Sequence, residues 1–373
     1  MQDKGPLTEP IADDPKNSWV TFMWRGNSKT WRVHLRGFEP TGSSDTQFAL
    51  LPGTDLWYRT ERIPNDARFA YIFRINCDEA GPEAYAGQAQ DAPLIVSHLD
   101  PLNPREATVG PLFSLLEMPA APPEPWRKRL AGVPAGTLTE KTIESTILKE
   151  RRKFTVYTPA TYDPKDPPLR LLVLFDGSSY FDDDLIPGHA ILDNLIAKGK
   201  IPPVIAIFVN QEKRNEELNC SNSFADYVAL ELVPKVRKDF RVTEDPAGVI
   251  VGGLSLGGLM SSYCALRHSE VFGNVLSQSG AYQCFPGSLQ EKPTAGAEPG
   301  WLTREYVKSP SRPVRFYLEA GCFEGDSFLA ENHRFRDVLQ AKGYQVRYHE
   351  FSGTHANLGK HASFADAIIY LTH

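Results

Sequence analysis

The segment Gly253-Leu254-Ser255-Leu256-Gly257 has a composition and a position that suit covalent chemistry at a serine. It follows an apolar run at residues 249–251, which predicts a strand, and it precedes residues 257–266, which predict a helix. Small residues must flank a serine at so sharp a turn, because the strand and the helix pass close to each other. We therefore predict that Ser255 is a nucleophile at a strand-to-helix turn. The alternative is a glycine-rich turn that contains an incidental serine.

A serine hydroxyl is a weak nucleophile at neutral pH and needs a general base. In this arrangement the acid and the histidine follow the serine along the chain. The histidines after Ser255 are His268, His333, His349, His355, His361 and His373. Of these, His355 lies in a predicted loop between the last strand and the last helix, where the base is expected, so we predict that His355 is the base. His361 remains the competitor, with a surface or helix-capping role as its alternative.

The acid that orients the histidine should follow the strand predicted at residues 314–318. Three carboxylates satisfy that condition, namely Glu319, Glu324 and Asp326. We favour Glu324 because it lies on the loop at the carboxyl end of the strand. Either Glu324 or Asp326 could instead cap the following helix.

An oxyanion formed on attack by serine needs backbone N–H donors. The amide of Leu256, the residue after the nucleophile, is one predicted donor. The second is expected after an early central strand, where residues 175–179 read Phe-Asp-Gly-Ser-Ser, and Gly177 or Ser178 is the candidate. The alternative for this segment is an ordinary Asp-Gly turn.

The elements that position these residues form two different patterns. From about residue 140, apolar strands alternate with helices, which predicts a mainly parallel sheet with helices on both faces, an α/β-hydrolase fold. Residues 19–77 instead contain short aromatic-rich strands separated by turn residues, which predicts a smaller β-sandwich of immunoglobulin-like type. We expect domains at residues 1–135 and 136–373, joined by the proline-rich stretch around residues 119–126.

Composition narrows the classes of function. Forty basic and 46 acidic residues give a net charge of −6, which argues against nucleic-acid binding. The five cysteines form no Cys-x-x-Cys pair, so we expect no zinc site, no metal and no other cofactor. No apolar run approaches the roughly 20 residues that span a membrane, and the first residues lack a signal-like apolar region. We therefore expect a cytoplasmic protein with no membrane partner.

Several motifs in both halves resemble the enterochelin (ferric enterobactin) esterase family. They are Pro52-Gly53-Thr54-Asp55-Leu56-Trp57-Tyr58, Asp100-Pro101-Leu102-Asn103-Pro104-Arg105, Phe175-Asp176-Gly177, Arg214-Asn215-Glu216-Glu217-Leu218 and Val275-Leu276-Ser277-Gln278-Ser279-Gly280. The resemblance extends from about Trp19 to His355. It implies an esterase that cleaves the tri-serine lactone of a catecholate siderophore, iron-loaded or iron-free, and so helps to release iron.

The resemblance also implies roles for individual residues. Ser255 would be the nucleophile, His355 the base and Glu324 the acid. Arg214 would lie near the polyanionic substrate, held by Glu217, or would form only a structural ion pair with Glu217. Tyr180 and Tyr282 are also expected to bind substrate. The remaining hypotheses are an esterase of the same fold that acts on a feruloyl-type or other bulky ester, and a non-catalytic binding protein.

Overall fold

The computed structural model describes residues 5–38, 46–76, 96–108, 112–289, 298–356 and 360–373. Within it the chain forms two compact units. The N-terminal unit comprises Met1–Pro122 and two short later segments, Gly321–Gly325 and Phe351–Gly359. The C-terminal unit comprises the remainder, namely Pro123–Ala320, Asp326–Glu350 and Lys360–His373. A single boundary after residue 135 does not separate these units, because two loops of the second half pack with the first.

The N-terminal unit contains two antiparallel sheets. One consists of β1 (Leu7–Ile11), β2 (Asp14–Arg25), β4 (Ala49–Leu50) and β5 (Leu56–Pro64), in the order β1-β2-β5-β4. The other consists of β3 (Val33–Arg36), β6 (Arg68–Ile75), β7 (Val96–His98), β8 (Glu106–Thr108) and β9 (Leu112–Glu117). Its order is β3-β6-β9-β8, and β7 pairs with β6.

Side-chain alternation gives these two sheets a common core. On β2, Val20 and Phe22 are buried, whereas Trp19, which directly precedes Val20 and points to the other face, is 42% exposed. Phe69 and Phe73 of β6 belong to the same hydrophobic cluster as the buried residues of β2. The aromatic strands follow the pattern predicted from the sequence. The sequence did not predict β1 or β7–β9, because their residues lie in polar or proline-rich stretches without a clear period.

The C-terminal unit is built on an eight-stranded sheet. Its strands are β10 (Thr137–Ser145), β11 (Glu150–Thr158), β12 (Arg170–Phe175), β13 (Val204–Val209), β14 (Val249–Leu254), β15 (Asn274–Gln278), β16 (Arg315–Gly321) and β17 (Gln345–Phe351). Their order is β10-β11-β13-β12-β14-β15-β16-β17. The pairs from β13 through β12, β14 and β15 to β16 are parallel, and β10 and β11 add an antiparallel edge.

Helices cover both faces of this sheet. They are α1 (Gly177–Phe181), α2 (Gly188–Ala197), α3 (Arg214–Glu217), α4 (Asn222–Tyr227), α5 (Val233–Asp239), α6 (Leu256–Arg267), α7 (Trp301–Lys308), α8 (Asp326–Ala341) and α9 (Lys360–Thr372). Val173 of β12 lies in one core with residues of α4–α6, and its neighbour Leu174 lies in a second core with residues of α2 and α9. The predicted parallel sheet, buried on both faces, is confirmed.

The single helix predicted over residues 223–240 is interrupted. A π-helical turn at Val228–Leu232 separates α4 from α5, and Pro234 lies at the start of α5. Proline has no N–H to donate to the preceding turn, so the regular hydrogen-bond ladder is broken there and a wider turn takes its place.

Candidate active site

Ser255 alone connects strand β14 to helix α6, and its backbone is strained. Its dihedral angles are φ 60° and ψ −117°, a conformation that residues with a Cβ rarely adopt. The Ser255 amide donates to the carbonyl of Gln278 at 2.9 Å, and its carbonyl accepts from Leu259 at 3.1 Å. These bonds hold the turn in place. The geometry is that of a nucleophile elbow, in which the serine hydroxyl stands clear of the strand and the helix.

The glycines around Ser255 are required by close approach. A Cβ on Gly253 would lie 2.8 Å from the Cα of Gly257, and one on Gly258 would lie 2.5 Å from the Ser277 Oγ. Real Cβ atoms do not approach other atoms so closely, so larger residues would push α6 away from the strands. The glycine pattern in the sequence therefore has a direct steric cause.

The predicted oxyanion loop begins where β12 ends. Asp176 has a positive φ of 54°, and α1 starts at the next residue, Gly177. A Cβ on Gly177 would lie 2.6 Å from the carbonyl carbon of Phe208, which excludes other residues. The Ser178 amide already donates to the side-chain oxygen of Asn210 at 2.8 Å. The Ser178 amide is therefore already engaged, which favours Gly177 as the candidate donor.

This loop lies directly beside the first turn of α6. A Cβ on Gly257 would lie 3.4 Å from the Phe175 Cβ and 3.5 Å from the Asp176 Oδ2. Leu256 and Gly177, the two candidate donors, thus belong to neighbouring stretches of backbone. The N-terminus of α6 adds the positive end of a helix dipole at the same place.

His355 and Glu324 form a hydrogen-bonded pair. The His355 Nδ1 lies 2.7 Å from the Glu324 Oε2. The Gly321 amide donates to the other carboxylate oxygen, Oε1, at 2.7 Å. The Glu324 side chain is fully buried, whereas that of His355 is 45% exposed. A carboxylate fixed at both oxygens can hold the imidazole in the tautomer that carries its proton on Nδ1, which leaves Nε2 to accept a proton.

Of the two competing acids, Glu319 and Asp326, the first has partners other than His355. The Glu319 carboxylate is buried and accepts hydrogen bonds from Gln278 and Ser363, at 2.8 and 2.9 Å. Asp326 is the first residue of α8. His361 belongs to α9, but its side chain lies outside the described residues. The structure therefore brings His355 together with Glu324, the acid favoured from the sequence.

Arg214 pairs with Asp176, so the predicted pairing of Arg214 with Glu217 is wrong. The Arg214 Nε and Nη2 donate to the two carboxylate oxygens of Asp176, each at 2.7 Å. Glu217 instead accepts two hydrogen bonds of 2.7 Å from Arg152, whose side chain is 1% exposed. Arg152 could not be predicted from the sequence, because a buried arginine in a strand has no local pattern. Asp176 could have been predicted as a site residue, because it is a carboxylate directly after a central strand.

Tyr180 and Tyr282, predicted to bind substrate, are core residues and cannot contact a substrate. Both are fully buried, and burial raises the pKa of both phenols. The Tyr180 hydroxyl donates to the Gln278 side chain at 2.8 Å. The Tyr282 hydroxyl lies 2.9 Å from the Ser262 Oγ and 2.8 Å from the Ser277 Oγ. Their hydroxyl groups are satisfied inside the C-terminal unit, which corrects both predictions.

Among the residues that the structure describes, no cluster of three or more His, Cys, Asp or Glu side chains could hold a metal ion. No helix in the described ranges is long and apolar enough to cross a membrane.

The sheet, the turn at Ser255 and the surrounding helices define an α/β-hydrolase fold with a serine at its nucleophile elbow. Residues 145–371 match the family described as "Putative esterase", and residues 19–127 match "Enterochelin esterase, N-terminal". The iron(III) enterobactin esterase of Dickeya dadantii is 30% identical over 98% of this chain and 90% of its own length. The chain therefore belongs to the enterochelin esterase family.

Solved structures agree with this assignment. The enterobactin esterase of Shigella flexneri, crystallised in the presence of enterobactin, superposes with a TM-score of 0.71. It is 26% identical, and the match covers 99% of this chain and 96% of that one. A ferulic acid esterase from Anaeromyces mucronatus superposes with a TM-score of 0.55 at 18% identity over 66% of this chain and 95% of its own. That second likeness shows the fold alone.

Proposed function

We propose that this protein hydrolyses the ester bonds of an enterobactin-like catecholate siderophore and so aids the release of its iron. The observation that carries the proposal is the similarity to iron(III) enterobactin esterase over 98% of the chain, which includes the N-terminal unit. The substrate is a small-molecule ester, taken either iron-free or as the ferric complex. The cytoplasmic location expected from the sequence stays a prediction.

The proposed reaction begins at Ser255. Its hydroxyl attacks an ester carbonyl of the lactone while His355 takes the hydroxyl proton. Glu324 holds the imidazole and stabilises its protonated form. The C–O bond to the leaving group then breaks, and His355 gives the proton to the departing serine oxygen of the siderophore, which leaves an acyl-enzyme on Ser255. Water attacks that ester in the same way and restores the enzyme.

The amides of Leu256 and Gly177 are proposed to stabilise the oxyanion in each step. The position of Leu256 at the first residue of α6 supports this role, as does the close approach of the Asp176 segment to Gly257. Donors that are fixed before the reaction need no reorganisation as charge develops, and this makes them effective.

Arg214 is proposed to bind the anionic catecholates. Its side chain is 42% exposed, and its pairing with Asp176 uses Nε and Nη2. The bidentate pair fixes the plane of the guanidinium, so that Nη1 can meet a substrate oxygen without loss of side-chain entropy. A cation here suits a polyanionic substrate in a protein whose net charge is −6.

The N-terminal unit is proposed to be an immunoglobulin-like β-sandwich. Two antiparallel sheets that share one hydrophobic cluster support this proposal.

Hydrolysis assays on the full chain test the function. The native protein is expected to release 2,3-dihydroxybenzoylserine from enterobactin, measured by liquid chromatography, and Ser255→Ala is expected to lose at least about 10⁴-fold in kcat. A fluorophosphonate probe should label the native protein but not Ser255→Ala. Absence of dihydroxybenzoylserine together with rapid cleavage of a feruloyl ester would overturn the substrate. Equal activity of Ser255→Ala would overturn the mechanism.

Two additional comparisons refine the substrate. Parallel assays with iron-free and ferric enterobactin show whether bound iron is required. Arg214→Gln is expected to raise KM for ferric enterobactin by about tenfold, the loss of one charge-assisted contact, and to leave KM for a neutral p-nitrophenyl ester unchanged. An equal rise for both esters would contradict the anion-binding role.

A further inference from the structure

The acid loop (Gly321–Gly325) and the base loop (residues 351–356) both belong to the N-terminal unit, although they follow strands β16 and β17. We infer that the N-terminal unit positions the His355–Glu324 pair, with Phe38 and Phe69 as the positioning residues. This inference rests on the proposed function for its kinetic readout. It assigns the N-terminal sheets a part in the reaction in addition to any contact with substrate.

An aromatic cluster anchors the acid loop. Phe323, the residue directly before Glu324, is 7% exposed and belongs to the core of the N-terminal unit. Its ring centroid lies 4.6 Å from that of Phe38 and 5.7 Å from that of Phe69. Phe38 and Phe69 stack on each other with centroids 5.0 Å apart. Close packing of three rings restricts the backbone of the loop that carries the acid.

The base loop is held by backbone contacts to β6. The amide of Arg68 donates to the carbonyl of Ser352 at 3.1 Å. A Cβ on Gly353 would lie 3.2 Å from the Arg68 carbonyl oxygen and 2.7 Å from the Phe351 ring. Glycine at position 353 is thus what allows the base loop to lie against this strand.

The two loops are also tied to each other. The Phe323 amide donates to the Gly353 carbonyl at 3.0 Å, and the Cys322 amide donates to the Phe351 carbonyl at 2.9 Å. A Cβ on Gly321 would lie 2.5 Å from the Gly353 carbonyl oxygen. Because the loops share these bonds, a displacement of Phe323 changes the position of both Glu324 and His355.

A base must be held within a fraction of an ångström, and a misplacement of about 1 Å can cost about 10²-fold in rate. Replacement of Phe38 or Phe69 by leucine removes an aromatic contact with Phe323 without introducing a polar group. We expect Phe38→Leu and Phe69→Leu to lower kcat about tenfold or more, with KM changed less than about twofold. The change is confined to kcat because neither ring is assigned to substrate binding.

Phe48→Leu is the matched control. Phe48 is 2% exposed in the same core, but its ring contact is with Phe73, at 5.3 Å. This variant should lose a similar amount of thermal stability and keep kcat within about twofold of native. If Phe38→Leu does not fold, Phe323→Leu is the alternative variant, because it removes the same ring contact by replacing its other member, in the acid loop. The inference is overturned if the control loses kcat equally, or if the test variants keep native kcat.

Proton NMR on the full chain gives a second readout that needs no substrate. The Nδ1 proton of His355, bonded to the Glu324 carboxylate, should give a far-downfield resonance that is absent in His355→Gln. We expect this resonance to shift or disappear in Phe38→Leu and Phe69→Leu and to persist in Phe48→Leu. Its persistence unchanged in all three would overturn the inference. A failure of the proposed function would appear separately, as native protein without esterase activity but with the resonance intact.

Gly353→Ala tests the backbone contacts in the same way. The added methyl meets the Phe351 ring and the Arg68 carbonyl, so kcat should fall by about tenfold or more. Gly248→Ala is the control, because its methyl would crowd the Thr243 side chain, at 2.6 Å, in the C-terminal unit. Equal effects of the two substitutions on kcat would contradict a positioning role for the base loop.

Discussion

The turn at Ser255 and the His355–Glu324 pair are built in opposite ways. The turn depends on residues close to it in sequence, above all the glycines at positions 253, 257 and 258, and it stores backbone strain at φ 60°. The pair joins residues 31 positions apart, and both carboxylate oxygens of Glu324 accept hydrogen bonds. The nucleophile therefore depends above all on glycines within three residues of it, whereas the base depends on an acid far away in the chain, so remote substitutions should disturb the base first.

The largest expected effect that separates the two regions concerns Glu324. In Glu324→Gln, the amide cannot serve as an anionic acceptor, so His355 is no longer held in the required tautomer and its protonated form loses stabilisation. We expect kcat to fall by about 10²–10⁴-fold, with little change in KM, in steady-state assays of ester hydrolysis. Fluorophosphonate labelling of Ser255 should slow in parallel, because attack by its hydroxyl depends on the base.

Glu231→Gln serves as the control for that substitution. Glu231 is also a carboxylate that accepts hydrogen bonds, from the amides of Thr146 and Ile147 at 2.9 and 3.1 Å, but it belongs to the C-terminal unit and is placed in no catalytic role. The kcat of the Glu231→Gln variant should remain within about twofold of the native value. A smaller loss of kcat in Glu324→Gln than in Glu231→Gln would show that Glu324 is not the acid.

The same contrast explains what the sequence could predict. The elbow was predictable because its signal is contained in five consecutive residues between a strand and a helix. Tyr180 and Tyr282 were misassigned because burial depends on the packing of distant elements and leaves no mark in a motif. The pairing of Arg214 with Asp176 was missed for a related reason, since an R-x-x-E pattern suggests a local partner when the true partner lies in the loop after strand β12.

A second prediction uses backbone strain at the elbow. Glycine adopts φ 60° at little cost, whereas alanine and serine do not. Ser255→Gly should therefore be more stable than Ser255→Ala by about 1–3 kcal/mol in urea unfolding, although both are inactive. The measurement is the difference in unfolding free energy between these two variants.

At the His355–Glu324 pair, removal of a side chain is expected to lower the unfolding free energy. Glu324→Ala leaves the Gly321 amide and the His355 Nδ1 without their acceptor and should destabilise the protein by about 1–3 kcal/mol. Strain at the nucleophile thus costs stability, whereas the pair contributes it. If Ser255→Gly were no more stable than Ser255→Ala, the strain assigned to the elbow would be refuted.

The smallest expected effect is a change in the pH dependence of stability due to Glu231. It distinguishes Glu231, a carboxylate that supports stability, from Glu324, one that supports catalysis. Partial burial raises the pKa of Glu231, but hydrogen bonds from Ser145, Thr146 and the Ile147 amide outweigh burial and hold that pKa below its usual value. Because the unfolded chain then takes up the proton first, Glu231 stabilises the fold above the pKa of the unfolded chain, and this contribution is lost as the pH falls through the folded pKa.

The unfolding free energy should therefore fall less in Glu231→Gln than in the native protein between neutral pH and about pH 3.5. We expect this difference to be less than about 1 kcal/mol, because the site is partly exposed and its charge is screened. The measurement is urea unfolding of native and variant protein across that range. Glu324→Gln should differ from Glu231→Gln in kcat at every pH, because its carboxylate is bonded to the base. An identical pH dependence of stability in the native protein and in Glu231→Gln would show that the hydrogen bonds of Glu231 make no measurable contribution to stability.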